Sequence, residues 1–307
     1  MFHYVFITLA VLCTHSILAT LTQPEKVLLQ PDDELQSPEG VNLKALDMLG
    51  FDHDSIILSE KVPIYPEYVE PRPPVSEDRI VGGTEAEIED HPYQVSFIVN
   101  NSYFCGGIII SENYIMTAAH CAQNVDPTTV VLRAGSAWRK NGTVIPIASV
   151  TPHPEYDNPP FDKDVAVMKT VLPMTFDETM QPIALPEREE PVDEGMTLIA
   201  SGWGRMMQGA PTIPERLMEV EIPVVSYFRC MLVYYSVLTR NMLCAGNFFF
   251  GGKGTCQGDS GGPAVQNGKV VGITSFGRGC AQPLSPSVFA LVSAPTIRDF
   301  IKEQTGL

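Results

Sequence analysis

From Val95 onward, apolar residues come in short runs divided by glycine, proline and polar turns. Val95-Ser96-Phe97-Ile98-Val99, Gly107-Ile108-Ile109-Ile110, Thr197-Leu198-Ile199-Ala200 and Val270-Val271-Gly272-Ile273-Thr274 are rich in β-branched residues. Runs of this length, closely punctuated, predict an all-β barrel or sandwich. Ala294 to Gln304 breaks the pattern. There Ile297, Phe300 and Ile301 share one face at helical spacing, which predicts a C-terminal helix. Residues 20–79 show no comparable pattern beyond a short amphipathic stretch through Leu43, Leu46 and Leu49.

Composition sharpens this division. Residues 20–79 hold 13 acidic and 5 basic side chains, eight prolines and no cysteine. Such a segment buries little surface and orders poorly by itself. Residues 80–307 hold 23 acids and 15 bases. The whole chain of 307 residues has a net charge of −16, which argues against nucleic acid as a partner. Residues 1–19 combine a short apolar stretch with small residues at its end, the pattern of a secretory signal peptide. The expected order is therefore signal peptide over 1–19, an acidic, proline-rich and largely disordered segment over 20–79, and a folded domain over 80–307. In a secreted chain the six cysteines left after signal removal (Cys105, Cys121, Cys230, Cys244, Cys256 and Cys280) predict three disulfides, with 15 pairings open. Asn100 and Asn141 begin glycosylation tripeptides.

Three segments carry chemistry. Ser260 sits in Gly258-Asp259-Ser260-Gly261-Gly262-Pro263, where glycines permit a tight turn and close approach of a carbonyl. The N–H groups of Gly258 and Ser260 are placed to face one point, as an oxyanion hole requires. His120, in Thr117-Ala118-Ala119-His120-Cys121, is the candidate base. Asp164, in Asp162-Lys163-Asp164-Val165-Ala166-Val167, is the candidate orienting acid.

These segments, with Arg79-Ile80-Val81-Gly82-Gly83 and Ser201-Gly202-Trp203-Gly204, occur in an order that resembles the trypsin/chymotrypsin family of serine endopeptidases across residues 80–307. The resemblance implies two six-stranded antiparallel β-barrels with the site between them. It implies the pairs Cys105–Cys121, Cys230–Cys244 and Cys256–Cys280, and a triad of His120, Asp164 and Ser260 acting through an acyl-enzyme. It implies a zymogen cut after Arg79 by a trypsin-like protease, whose new Ile80 amine pairs with Asp259. In this family the residue six before the nucleophile floors the primary pocket. Here it is Gly254, accompanied by Thr255, Ser275, Phe276, Gly277 and Ser287.

No acid stands at these positions to meet a basic side chain. The expected preference is chymotrypsin-like, for Phe, Tyr, Leu or Met, with Ser287 shortening the pocket; an elastase-like preference is the alternative. Phe276 replaces a customary tryptophan. The 139–143 loop lacks the carboxylates of the family's calcium loop, so neither metal nor cofactor is expected. Protein or peptide substrates and protein protease inhibitors are the expected partners, outside the cell and off the membrane. A catalytically silent homologue serving as a binding or regulatory protein is the rival reading, and the intact triad argues against it.

Overall fold

A computed structural model describes residues 81–123 and 125–307. The expected signal peptide, the expected propeptide and the Arg79–Ile80 bond lie outside the described residues.

The described chain forms two antiparallel sheets. The first contains β2 (Gln94–Val99), β3 (Ser102–Ser111), β4 (Tyr114–Thr117), β5 (Val130–Ala134), β6 (Thr143–Ile145), β7 (Ile147–Pro152) and β8 (Ala166–Thr170), in the order β6-β5-β2-β3-β4-β8-β7. β6 and β7 are one stretch of chain interrupted at Pro146, which has no N–H to give a ladder. β6 pairs with β5 and β7 pairs with β8, so this single bent strand closes a six-stranded barrel. The turn between β2 and β3 is Asn100-Asn101, both with positive φ (49° and 64°), the two-residue hairpin turn that matches strand twist.

The second sheet contains β1 (Thr84–Glu85), β9 (Thr197–Gly202), β10 (Met218–Val225), β11 (Met242–Ala245), β12 (Pro263–Gln266), β13 (Lys269–Phe276) and β14 (Ser287–Leu291). Pairing of β9 with both β10 and β12 closes the ring β9-β10-β11-β14-β13-β12, with β1 added outside on β10. The expected pair of six-stranded barrels is therefore present. All four β-rich runs read from sequence lie in strands.

Each barrel is filled by inward side chains: Phe97, Ile108, Ile115, Leu132 and Met168 in the first, Leu198, Val220, Ile222 and Phe289 in the second. Three helices decorate them: α1 (Ala119–Ala122), α2 (Tyr227–Tyr234) and α3 (Pro295–Thr305). α3 buries Ile297, Phe300 and Ile301, the face expected for the C-terminal helix. Among the described residues no helix is long and apolar enough to cross a membrane.

The cysteines pair as Cys105–Cys121, Cys230–Cys244 and Cys256–Cys280. The first joins β3 to α1, the second α2 to β11, and the third ties the segment before Ser260 to the loop after β13.

Candidate active site

α1 is a single turn whose second residue is His120. Its neighbour Cys121 is bonded to β3, so the histidine is fixed from both sides. The backbone N–H of His120 donates to Asp164 Oδ1 at 2.9 Å, and Nδ1 lies 2.7 Å from Asp164 Oδ2. Ser275, at the end of β13, donates its hydroxyl to the same Oδ2 at 2.5 Å. Asp164 is 1% exposed. A carboxylate taken out of water needs such donors, and these three come from both barrels. The arrangement sets the imidazole with Nδ1 towards the acid.

The loop carrying Asp164 is pinned by its own neighbours. Asp162 accepts hydrogen bonds from the Asn241 side chain at 3.0 and 3.1 Å and from Thr239 at 2.5 Å. The Lys163 ammonium reaches Asp162 at 3.1 Å and Glu155 at 3.2 Å. Phe161, from the same loop, stacks on Phe276 with ring centroids 4.6 Å apart.

Ser260 lies in the turn between Cys256 and β12, partly exposed. Its carbonyl accepts from Gly106 N–H of β3 at 2.8 Å, so the serine loop is bonded directly to the other barrel. At Gly106 a Cβ would stand 2.9 Å from Gly262 Cα, and the two backbones meet this closely only because no side chain intervenes. Gly258 has φ +101°, a region closed to other residues. Its carbonyl accepts the Tyr103 hydroxyl at 2.8 Å. Among the described residues the N–H groups of Gly258 and Ser260 have no backbone or side-chain acceptor. The Ser260 hydroxyl also makes no hydrogen bond to a described residue. His120 Nε2 lies 3.5 Å from Cys121 Sγ, whose lone thiol character is lost in the disulfide.

Asp259 is buried beneath this turn, 1% exposed, and accepts from Gly204 N–H at 2.8 Å and Cys256 N–H at 2.9 Å. Burial pushes its carboxyl up to about 6 against the pull of those two N–H groups. No cationic side chain among the described residues pairs with it.

Beside Ser260 opens a cavity of about 200 Å³ lined by Thr255, Cys256, Gln257, Ser260, Thr274, Ser275, Phe276, Gly277, Gly279 and Ser287. Five of the six expected pocket residues are among them. Gly254 is buried, with Ser287 Oγ and Ala281 against the position a Cβ would take. The hydroxyl of Ser287 accepts from Thr255 N–H at 3.1 Å and from the Thr255 hydroxyl at 2.9 Å. This hydroxyl pair is part of the pocket wall, and no lining residue is acidic.

Sequence reading missed Tyr103, Phe161 and the Asp162 anchor. Each lies near a motif in the chain, but its role depends on contacts across 77 or more residues or on ring packing, which local pattern does not encode.

A double barrel holding an imidazole on a buried carboxylate, across a cleft from a serine on a glycine turn, defines a serine endopeptidase architecture. Residues 80–301 match the family model described as Trypsin. The chain is 42% identical over 236 residues to trypsin 5G1 of Aedes aegypti, covering 76% of this chain and 87% of that protein. It is 41% identical over 220 residues to trypsin Tyr p 3.0101 of Tyrophagus putrescentiae, covering 70% and 76%. The vitellin-degrading protease of Bombyx mori is 35% identical over 236 residues, covering 76% and 88%. The chain belongs to the trypsin family and is a serine endopeptidase.

Proposed function

We propose that this chain is a secreted zymogen that, once cut after Arg79, hydrolyses proteins on the carboxyl side of Phe, Tyr, Leu or Met. The observation that carries the specificity is the pocket beside Ser260. Its ten lining residues include no carboxylate, and among them the Thr255 hydroxyl donates to that of Ser287. A Lys or Arg side chain buried there would lose its hydration and gain no anion. Relatives named trypsin do not alter that balance, because the pocket chemistry is this chain's own.

In the proposed reaction the Ser260 hydroxyl attacks the scissile carbonyl while His120 Nε2 takes its proton. The imidazolium is steadied by Asp164 through Nδ1. The oxyanion is met by the N–H groups of Gly258 and Ser260. His120 then returns the proton to the leaving amine, and water, deprotonated in turn by His120, releases the acyl group. The reaction requires the Ser260 hydroxyl to turn onto Nε2 when substrate enters. Catalytic contacts of this kind often tighten only in the complex.

Activation has an equally specific support. Asp259 is a buried carboxylate with two backbone donors and no cationic partner among the described residues. The new amine of Ile80 is the cation this proposal supplies, and its pairing fixes the Gly258 turn. The activator is a separate protease that cuts after arginine, since the proposed pocket rejects Arg79. Protein protease inhibitors are the further partners.

The test compares purified chain, matured with trypsin and freed of it, on peptide substrates ending in Phe, Leu, Ala or Arg before the cleaved bond. Cleavage after Phe and Leu, with labelling of Ser260 by a fluorophosphonate, is expected. Preference for Arg would refute the pocket reading, preference for Ala would favour the elastase-like one, and absence of labelling would favour a silent homologue.

A further inference from the structure

A second cavity, of about 450 Å³, adjoins the candidate oxyanion turn. Phe104, Arg139, Arg205, Glu215, Gln257 and Gly258 are among the residues that line it. Gln257 also lines the pocket beside Ser260, so the two spaces share this wall on either side of Gly258. If the acyl-side residue of a substrate fills the first pocket and its carbonyl sits at Gly258, the chain beyond the cleaved bond must continue over the second.

The charges in this second cavity do not cancel. Arg139 is paired with Glu215, and its Nε donates to the Pro214 carbonyl at 3.1 Å. Arg205 pairs with no carboxylate among the described residues. Its backbone N–H donates to the Gln257 carbonyl at 2.7 Å, which ties this cation to the residue before Gly258. A free guanidinium is therefore presented at the leaving-group side of a chain whose net charge is −16. Phe104, 47% exposed, offers an apolar wall in the same space.

We propose that Arg205 selects substrates carrying Asp or Glu within two residues after the cleaved bond. The inference rests on the endopeptidase reading and deepens it. A guanidinium matches a carboxylate in charge and in its forked geometry, and repels Lys or Arg at the same place. An ion pair of this partly exposed kind gives a preference of about fivefold.

The test uses the full-length chain cleaved after Arg79 and two internally quenched peptides. They share one acyl side ending in Phe and differ only in Glu or Lys at the second position beyond the bond. A small Phe ester, with nothing to reach Arg205, serves as the reference. The Glu peptide should have a kcat/KM about fivefold higher, and added salt should narrow the gap. Arg205→Gln should erase the preference and Arg205→Glu should invert it, with ester hydrolysis unchanged in both. Equal cleavage of the two peptides by the unaltered enzyme would overturn the proposal. So would a loss in Arg205→Gln that falls equally on the ester, which would mark a structural role. An unaltered enzyme that leaves the ester intact would instead bring down the endopeptidase reading itself, and this proposal with it.

Discussion

At the scale of single residues, the site works by satisfying a few buried polar atoms. Asp164 is nearly inaccessible, and the Ser275 hydroxyl is one of its three donors. Ser275→Ala removes a hydrogen bond to a buried charge and leaves that oxygen short of a partner. The expected cost is about 2 kcal/mol of stability, read by urea unfolding in a Ser260→Ala background that prevents self-digestion. An unchanged midpoint would mean that the Ser275 contact carries no energy. Tyr103 presents a different case. Its hydroxyl holds the Gly258 carbonyl, and burial together with the nearby negative Asp259 raises its pKa, so it stays a donor. Tyr103→Phe loosens the peptide whose N–H is proposed to face the oxyanion. The expected result is a kcat lower by roughly tenfold with KM little changed. A change confined to KM would place Tyr103 in substrate binding instead.

At the scale of elements, the proposed catalytic groups sit where loops of one barrel are bonded to the other. Gly106 of β3 donates to the Ser260 carbonyl, and Ser201 of β9 donates to the buried Gln94 of β2 at 2.7 Å. Gly106→Ala would set a methyl group 2.9 Å from Gly262 Cα and 3.0 Å from its nitrogen, where backbone cannot retreat as a flexible side chain would. We expect roughly 1–3 kcal/mol of destabilisation, and a fall in kcat as the serine loop moves off β3. Thermal unfolding and single-turnover acylation measure the two effects separately. A variant with native acylation would show that the serine loop can relocate as a unit. This architecture also explains what the sequence could reveal. The strand runs and the face of α3 are local, because burial repeats every two or 3.6 residues. His120, Asp164 and Ser260 stood out because each sits in a short distinctive segment. α2 was not foreseen: it buries only Cys230 and Tyr234, and Phe228, Leu232 and Tyr235 face solvent, so its apolar periodicity points the wrong way. Gly254 is expected at the pocket floor; it is buried, and Ser287 Oγ and Ala281 lie within 3.4 Å of the position its Cβ would take.

At the scale of the whole molecule, the proposed maturation makes one buried charge a test of stability. Asp259 has its carboxyl raised from 3.8 to about 6 by burial. A raised acid binds its proton more tightly folded than unfolded. Stability from this group is therefore undiminished at pH below 3.8, falls as pH rises from there to about 6, and stays lowered above. The penalty at neutral pH is about 3 kcal/mol. In the proposed mature form the Ile80 amine supplies the missing cation, and the charged Asp259 then costs no stability until that amine loses its proton. Urea unfolding of Ser260→Ala chain should be followed from pH 4 to pH 7 before and after cleavage at Arg79, with Asp259→Asn as the reference for every other titrating group. Relative to that reference, the uncut chain should lose stability across this range and the cut chain should not. If the two forms track each other, Asp259 has found a cation without cleavage, and the proposed coupling between the new amine and the Gly258 turn fails.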